Sequence, residues 1–194
     1  MLRTRRTGSM ILMTMLLATN AACGAAGGPK VGWSDDEGGG SLGPQLNVTL
    51  SLSGATTLAG DQTAAAPTNN GTIPASCAEY AKGSTGEEGR TFYVGAGLLD
   101  GPVAGRRVTL ELWIEEYTGP GTYPKGQLVA PGSRPSIAVD GTVYGTWPDS
   151  TSSEVVTDDR GGGTWTFAKL ATTGAGGLPG DAVDGTVTWT CRDA

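Results

Sequence analysis

An all-β fold, an antiparallel sandwich of about seven to nine short strands, is what this sequence predicts, and three observations carry that expectation. Apolar residues recur at every second position in several separate stretches, the period of a half-buried strand and not the 3.6 of a helix. Of 194 residues, 33 are Gly and 11 are Pro, so turn-forming residues interrupt the chain too often for long helices. Thr fills many of the alternate positions, which suits the solvated face of an antiparallel sheet.

The first strand is the clearest. In LNVTLSLS, Leu46, Val48, Leu50 and Leu52 take one face and Asn47, Thr49, Ser51 and Ser53 the other. Residues 54–76 lose the pattern and read as a long loop or irregular crossover. Alternation returns over residues 91–98, with Phe92, Val94 and Ala96 on one side, and is strongest over 108–115, where Val108, Leu110, Leu112 and Ile114 share a face. Residues 136–144 place Asp140-Gly141 between two β-prone runs, a pair preferred by type I′ hairpins because both central residues need positive φ. A looser hairpin is expected where residues 154–157 and 164–170 flank DDRGGG. The chain closes on DGTVTWTC, with Val187, Trp189 and Cys191 inward and Thr186, Thr188 and Thr190 outward. The string AVDGTV occurs at 138–143 and again at 182–187, which reads either as a duplicated unit or as two hairpins sharing one turn chemistry.

The other end of the chain reads as an address. Arg3, Arg5 and Arg6 precede the apolar run MILMTMLLA, too short to span a bilayer as a permanent helix, so residues 1–22 are expected to be a secretory signal peptide. Cys23 follows the small residues Ala21 and Ala22, as in the lipobox where bacterial signal peptidase cuts before a Cys that then receives a diacylglycerol. Asn20 stands where a lipobox has an aliphatic residue, and the alternative is ordinary cleavage near Gly24 that frees the protein. Residues 23–44 hold eight glycines and an acidic cluster, Asp35, Asp36 and Glu37. They form a flexible tether with a reach of about 25 Å, leaving residues 45–194 as the domain.

Cysteine parity agrees with that reading. If Cys23 carries the lipid, Cys77 and Cys191 remain as a pair that an oxidising compartment would join. Without lipidation one thiol is left over, and the competing reading is two separately buried thiols.

Composition narrows the chemistry. His is absent, which removes Ser-His-Asp and Cys-His relays, His-ligated metals and the imidazole pH switch. Thirteen basic residues, three of them in the leader, face nineteen acidic ones, so no basic stripe exists to bind nucleic acid. No EF-hand or phosphate-loop pattern is present, and no metal or cofactor is expected. The remaining acid-base candidates are carboxylates. Glu111 and Glu115 would lie about 13 Å apart on one strand face, too far for a glycosidase pair, and read as solvated. Trp113 stands out of phase with its strand. The expectation is that the segment after Tyr117 covers it; the functional alternative is an exposed platform of Trp113, Tyr117, Tyr123, Tyr144 and Trp147 that stacks sugars, lipids or a protein.

Residues 116–123 (EYTGPGTY), the Asp140-Gly141 hairpin, residues 163–167 (GTWTF) and residues 185–191 (GTVTWTC) together resemble small exported lipoproteins of high-GC bacteria and, more distantly, the mycobacterial lipoprotein antigens. The resemblance covers residues 76–194 in layout. It implies a lipid-modified Cys, a low-complexity tether and a compact β-domain with one disulfide near its end. The expected role is a non-catalytic binding or surface-interaction module, held to the membrane by its N-terminal lipid and meeting an envelope glycan, lipid or protein. Its rivals are a carboxylate-dependent wall hydrolase and a carrier that would need an apolar cavity between its sheets.

Overall fold

The computed structural model describes residues 43–69, 71–86, 89–94, 100–130 and 133–194. The signal peptide, Cys23, the tether as far as residue 42 and Ala96 lie outside the described residues. In chain order the strands are β1 (Gln45–Gly54), β2 (Leu58–Ala65), β3 (Ser84–Gly86), β4 (Gly89–Tyr93), β5 (Asp100–Val103), β6 (Arg106–Glu111) and β7 (Trp113–Ile114). They continue as β8 (Gly121–Pro124), β9 (Leu128–Val129), β10 (Ser136–Val139), β11 (Thr142–Gly145), β12 (Ser152–Thr157), β13 (Gly163–Thr173) and β14 (Pro179–Arg192). The one α-helix among the described residues is a single turn, α1 (Cys77–Tyr80). No helix among them is long and apolar enough to cross a membrane.

All pairings between these strands are antiparallel, as the alternation and turn content predict. Among the described residues one sheet has ten strands, in the order β2-β1-β14-β13-β11-β10-β6-β5, with β12 and β8 branching from β13. A second sheet runs β3-β4-β7-β9. Its place between β2 and β14, with one face on the core, explains why β1 reads so clearly. Its inward residues Leu46, Val48, Leu50 and Leu52 are at most 2% exposed, each worth about 1.5–3 kcal/mol when fully buried, and they face a core that holds Trp165, Trp189 and Val187.

The stretch expected to be a loop at 54–76 instead contains β2, paired with β1 from Gln45↔Ala65 to Leu52↔Leu58. Past Leu58 its inward positions are Gly60, Gln62 and Ala64, so the alternation exists in space without an apolar signal. The reason lies across the sheet. The large sheet curls until β2 meets β5, and a Cβ added at Gly60 would stand 2.9 Å from Val103 Cγ1. No side chain fits at Gly60 without moving Val103.

The strongest predicted strand is divided. Val108, Leu110, Leu112 and Ile114 are all buried as expected, but β6 ends at Glu111 and β7 begins at Trp113 in the other sheet. At the changeover Leu112 accepts a hydrogen bond from Val94 N–H (3.0 Å), so the core face continues while the outer neighbours change.

Asp140 (φ 49°) and Gly141 (φ 84°) make the expected hairpin between β10 and β11. The second AVDGTV does not turn. It lies within β14, where Asp184 pairs with Ser53 and Gly185 sits opposite Leu52 and Phe167. DDRGGG does form the looser hairpin between β12 and β13, with Asp158 Oδ1 accepting from Arg160 N–H (2.8 Å) and Gly162 N–H (2.7 Å).

Cys77 and Cys191 form a disulfide that spans 114 residues, with Cα atoms 5.7 Å apart. Sequence logic builds its surroundings. Ser76 caps α1 by accepting from Glu79 N–H (3.2 Å), while Glu79 reaches back to Ala75 N–H (2.6 Å). Asp193 accepts from Cys77 N–H (2.6 Å). Gly161 (φ 78°) passes beneath, where a Cβ would stand 2.9 Å from the Tyr80 ring and 3.0 Å from Cys77 O, so only glycine satisfies both its angle and its neighbours. Its carbonyl accepts from Trp189 Nε1 (3.1 Å), which ties the hairpin tip to the closing strand. Such a bond belongs to an oxidising, extracytoplasmic environment.

Candidate functional site

β13 changes partners along its length, and a surface groove opens where it does. Its first half pairs with β12 from Gly163 to Ala168. A register shift between Phe167 and Leu170, with Lys169 at φ 61°, re-aims the strand, and Ala171 pairs with Gly145 of β11. Asp184 secures the shift by accepting from Lys169 N–H (2.7 Å). That single pair is the whole register between β11 and β13, so the two strands diverge beyond it.

The β11–β12 connection packs into this divergence and places Trp147. Thr146 donates twice to Pro135 O, from its N–H (2.9 Å) and its hydroxyl (2.8 Å). Trp147 N–H donates to Thr151 Oγ1 (2.8 Å), whose hydroxyl donates in turn to Lys169 O (2.8 Å). The indole Nε1 donates to Ala171 O (3.1 Å). These bonds fix a half-buried aromatic ring at the groove wall.

The groove has a volume of ≈ 640 Å³ and crosses β6, β10, β11 and β13 on their outward face. Register aligns its floor in two rows, Glu111–Ser136–Gly145–Ala171 and Thr109–Ala138–Val143. Small residues keep the middle of that floor low. Val143, 53% exposed, stands at one side. At the other the Arg134 guanidinium lies over the Trp147 ring, 4.7 Å from its centroid. Ser133 Oγ donates to Glu111 Oε2 (3.1 Å). Among the described residues the Arg134 guanidinium has neither a carboxylate nor a carbonyl partner, whereas Arg106 is paired with Asp140 at 2.7 Å.

The five predicted aromatics are divided among three places. Tyr117 and Tyr123 are buried, in a row of rings with Tyr80 and Phe92 at centroid spacings of 4.9, 4.9 and 5.3 Å. Their hydroxyls are occupied: Tyr117 donates to Ala81 O (3.0 Å) and Tyr123 to Gly119 O. Burial pushes the Tyr80 hydroxyl well above the usual phenol range and raises that of Tyr117, which keeps both as neutral packing groups. Tyr144 is buried opposite Ile137. Trp113 is half-buried and edge-on to Tyr93 at 4.8 Å. The segment after Tyr117 does return to it, through the Trp113↔Val129 pairing, but Tyr117 packs on Phe92 and Tyr123 on Tyr117, not beside it. A single exposed platform of all five is therefore corrected: three belong to the core, and Trp147 alone of the set lines the groove.

Of the carboxylates, Glu111 lines the groove, while Glu115 follows the break after β6 and its N–H donates to Gln127 O (3.0 Å). No signal in the sequence marked Arg134 or Ser133, which reach the site through the β9–β10 connection. Nor does the interior offer a carrier's cavity at the positions of its largest side chains, since Trp165, Trp189, Tyr80 and Phe92 fill them at under 2% exposure. Compared with known proteins, the chain matches no family model, no curated protein and no solved structure.

Proposed function

We propose that this is an exported envelope lipoprotein, anchored through diacylglycerol on Cys23, whose β-domain binds an envelope glycan without catalysis. One observation carries the reading: two of the chain's three cysteines, Cys77 and Cys191, are joined to each other, and the third stands behind Ala21-Ala22 at the end of an apolar leader. The resemblance to small exported lipoproteins of high-GC bacteria supports the same anchor. The groove supports binding over hydrolysis, because its lining includes one carboxylate, Glu111, where glycoside hydrolysis uses two flanking the scissile bond. Its hydroxyls, low floor and fixed indole suit a sugar chain laid across the sheet.

Mass spectrometry of the mature protein tests the anchor: a chain that begins at Cys23 and carries a diacylglyceryl thioether is expected, and an unmodified Cys23 or a start beyond it overturns it. Incubation with purified envelope polysaccharide tests the role. The protein is expected to co-sediment and to release no reducing ends; release that disappears in Glu111→Gln would make it a hydrolase.

A further inference from the structure

We infer that the groove selects saccharides that carry a carboxylate, and that Arg134, stacked on Trp147, is the group that reads it. The inference rests on the glycan-binding reading above and names the chemical class of the ligand.

An exposed arginine can be held in place by a carboxylate. Arg106 illustrates this, with Nε 2.7 Å from Asp140 and Nη1 2.6 Å from Thr56 Oγ1. Arg134 is positioned differently. Its guanidinium is held by an aromatic face, 4.7 Å from the Trp147 centroid, and that ring is itself tied to Ala171 O. Stacking engages the flat of the guanidinium and leaves its edge, where all five N–H donors lie, uncommitted among the described residues. A planar fork held on a fixed ring matches a carboxylate bidentately.

The rest of the groove argues for a sugar as the carrier of that carboxylate. Strand addition would seat an extended peptide along a sheet edge, whereas the floor here is the outward face of β6, β10 and β11. On that face Ala138 and Gly145 give a low apolar surface, and Ser136 and Thr109 border it. Glu111, which holds Ser133 Oγ, can also accept from neighbouring sugar hydroxyls. A neutral glycan could use the floor and Glu111 but would offer the arginine fork only uncharged hydroxyl or amide acceptors. A uronic acid or a lactyl-substituted amino sugar uses all of it.

Calorimetric titration of the mature, full-length protein tests this. The probes are a tetrasaccharide of alternating N-acetylglucosamine and N-acetylmuramate, tetragalacturonate, and the carboxyl-reduced form of each. At least one acidic probe is expected to bind about ten-fold more tightly than its reduced form. Arg134→Gln should erase that preference, bringing the acidic form to the affinity of its reduced form. Arg134→Lys, which keeps the charge without the fork, should restore only part of it. Ala138→Phe, which fills the floor, should abolish binding of both forms; a thermal melt of each variant confirms that it is folded. Equal affinity for acidic and reduced probes, unchanged in Arg134→Gln and lost in Ala138→Phe, overturns the carboxylate inference and leaves the glycan reading standing. Arg134-dependent binding of an acidic peptide, with no saccharide bound, overturns both.

Discussion

The same six residues, AVDGTV, fold in two ways in one molecule. At 138–143 they are a hairpin, with Asp140 and Gly141 both left-handed; at 182–187 they run straight through the centre of β14. Glycine does different work in each. A Cβ at Gly141 would meet nothing within 4 Å, so its residue type matters for its angle, whereas a Cβ at Gly185 would press on Leu52 (2.8 Å), Phe167 (2.9 Å) and Ser51 O. The aspartates behave alike in one respect: each carboxylate accepts a backbone N–H from a neighbouring strand, Arg107 for Asp140 (2.9 Å) and Lys169 for Asp184 (2.7 Å). What decides the shape is outside the hexapeptide. The first copy reaches the end of a four-residue strand, while the second lies between β1 and β13, which occupy both of its sides. Local turn preference is a matter of about 1 kcal/mol, and burial along two flanking strands exceeds it.

Four measurements would sharpen or break that contrast. The largest effect is expected from reducing the Cys77–Cys191 disulfide, which anchors the straight copy's strand. A closed loop of 114 residues is worth about 4–5 kcal/mol, so melting should fall by about 10 °C or more. In hydrogen exchange, β14 should lose protection before the β10–β11 hairpin; simultaneous loss would show that the two copies belong to one cooperative unit. Next, Gly185→Ala should cost about 2–3 kcal/mol in denaturant unfolding, because the backbone of β1 cannot yield. Gly141→Ala should cost about 1 kcal/mol, the strain of a left-handed alanine in an open turn. A reversal of that order would mean that the left-handed angle at Gly141 outweighs the lack of space at Gly185.

The smallest effect is expected from Asp140→Asn. The hydrogen bond from the Arg106 side chain, and then that from Arg107 N–H, hold the Asp140 carboxyl below the ordinary carboxylate range. A depressed value in the folded state stabilises above the unfolded pKa, so the difference between wild type and variant should be constant from neutral pH down to about pH 4 and shrink below it. Urea melts across that range measure it.

Legibility followed position in the sheet. β1, β6 and the end of β14 were readable because their inward residues are large and apolar, and the Asp140-Gly141 turn because it stands in solvent. β2 was unreadable because closure against β5 demands Gly60 and tolerates Gln62 and Ala64 facing inward. Asp184-Gly185 misled for the reason just given. The groove could not be read along the chain at all: Glu111, Arg134, Trp147 and Ala171 come from separate segments brought together by strand pairing and by the shift at Lys169. Trp147 was in the predicted aromatic set, yet nothing local distinguished it from Tyr117 and Tyr123, which the fold buries.

The Cys77–Cys191 bond has a practical consequence for a protein outside the cytoplasm, where peptidases are common. Every residue from β3 to Trp189 lies inside one covalent ring. A single cut in any loop of that ring opens it without releasing a fragment, so a nicked molecule keeps all of its strands and can stay folded until a second cut falls.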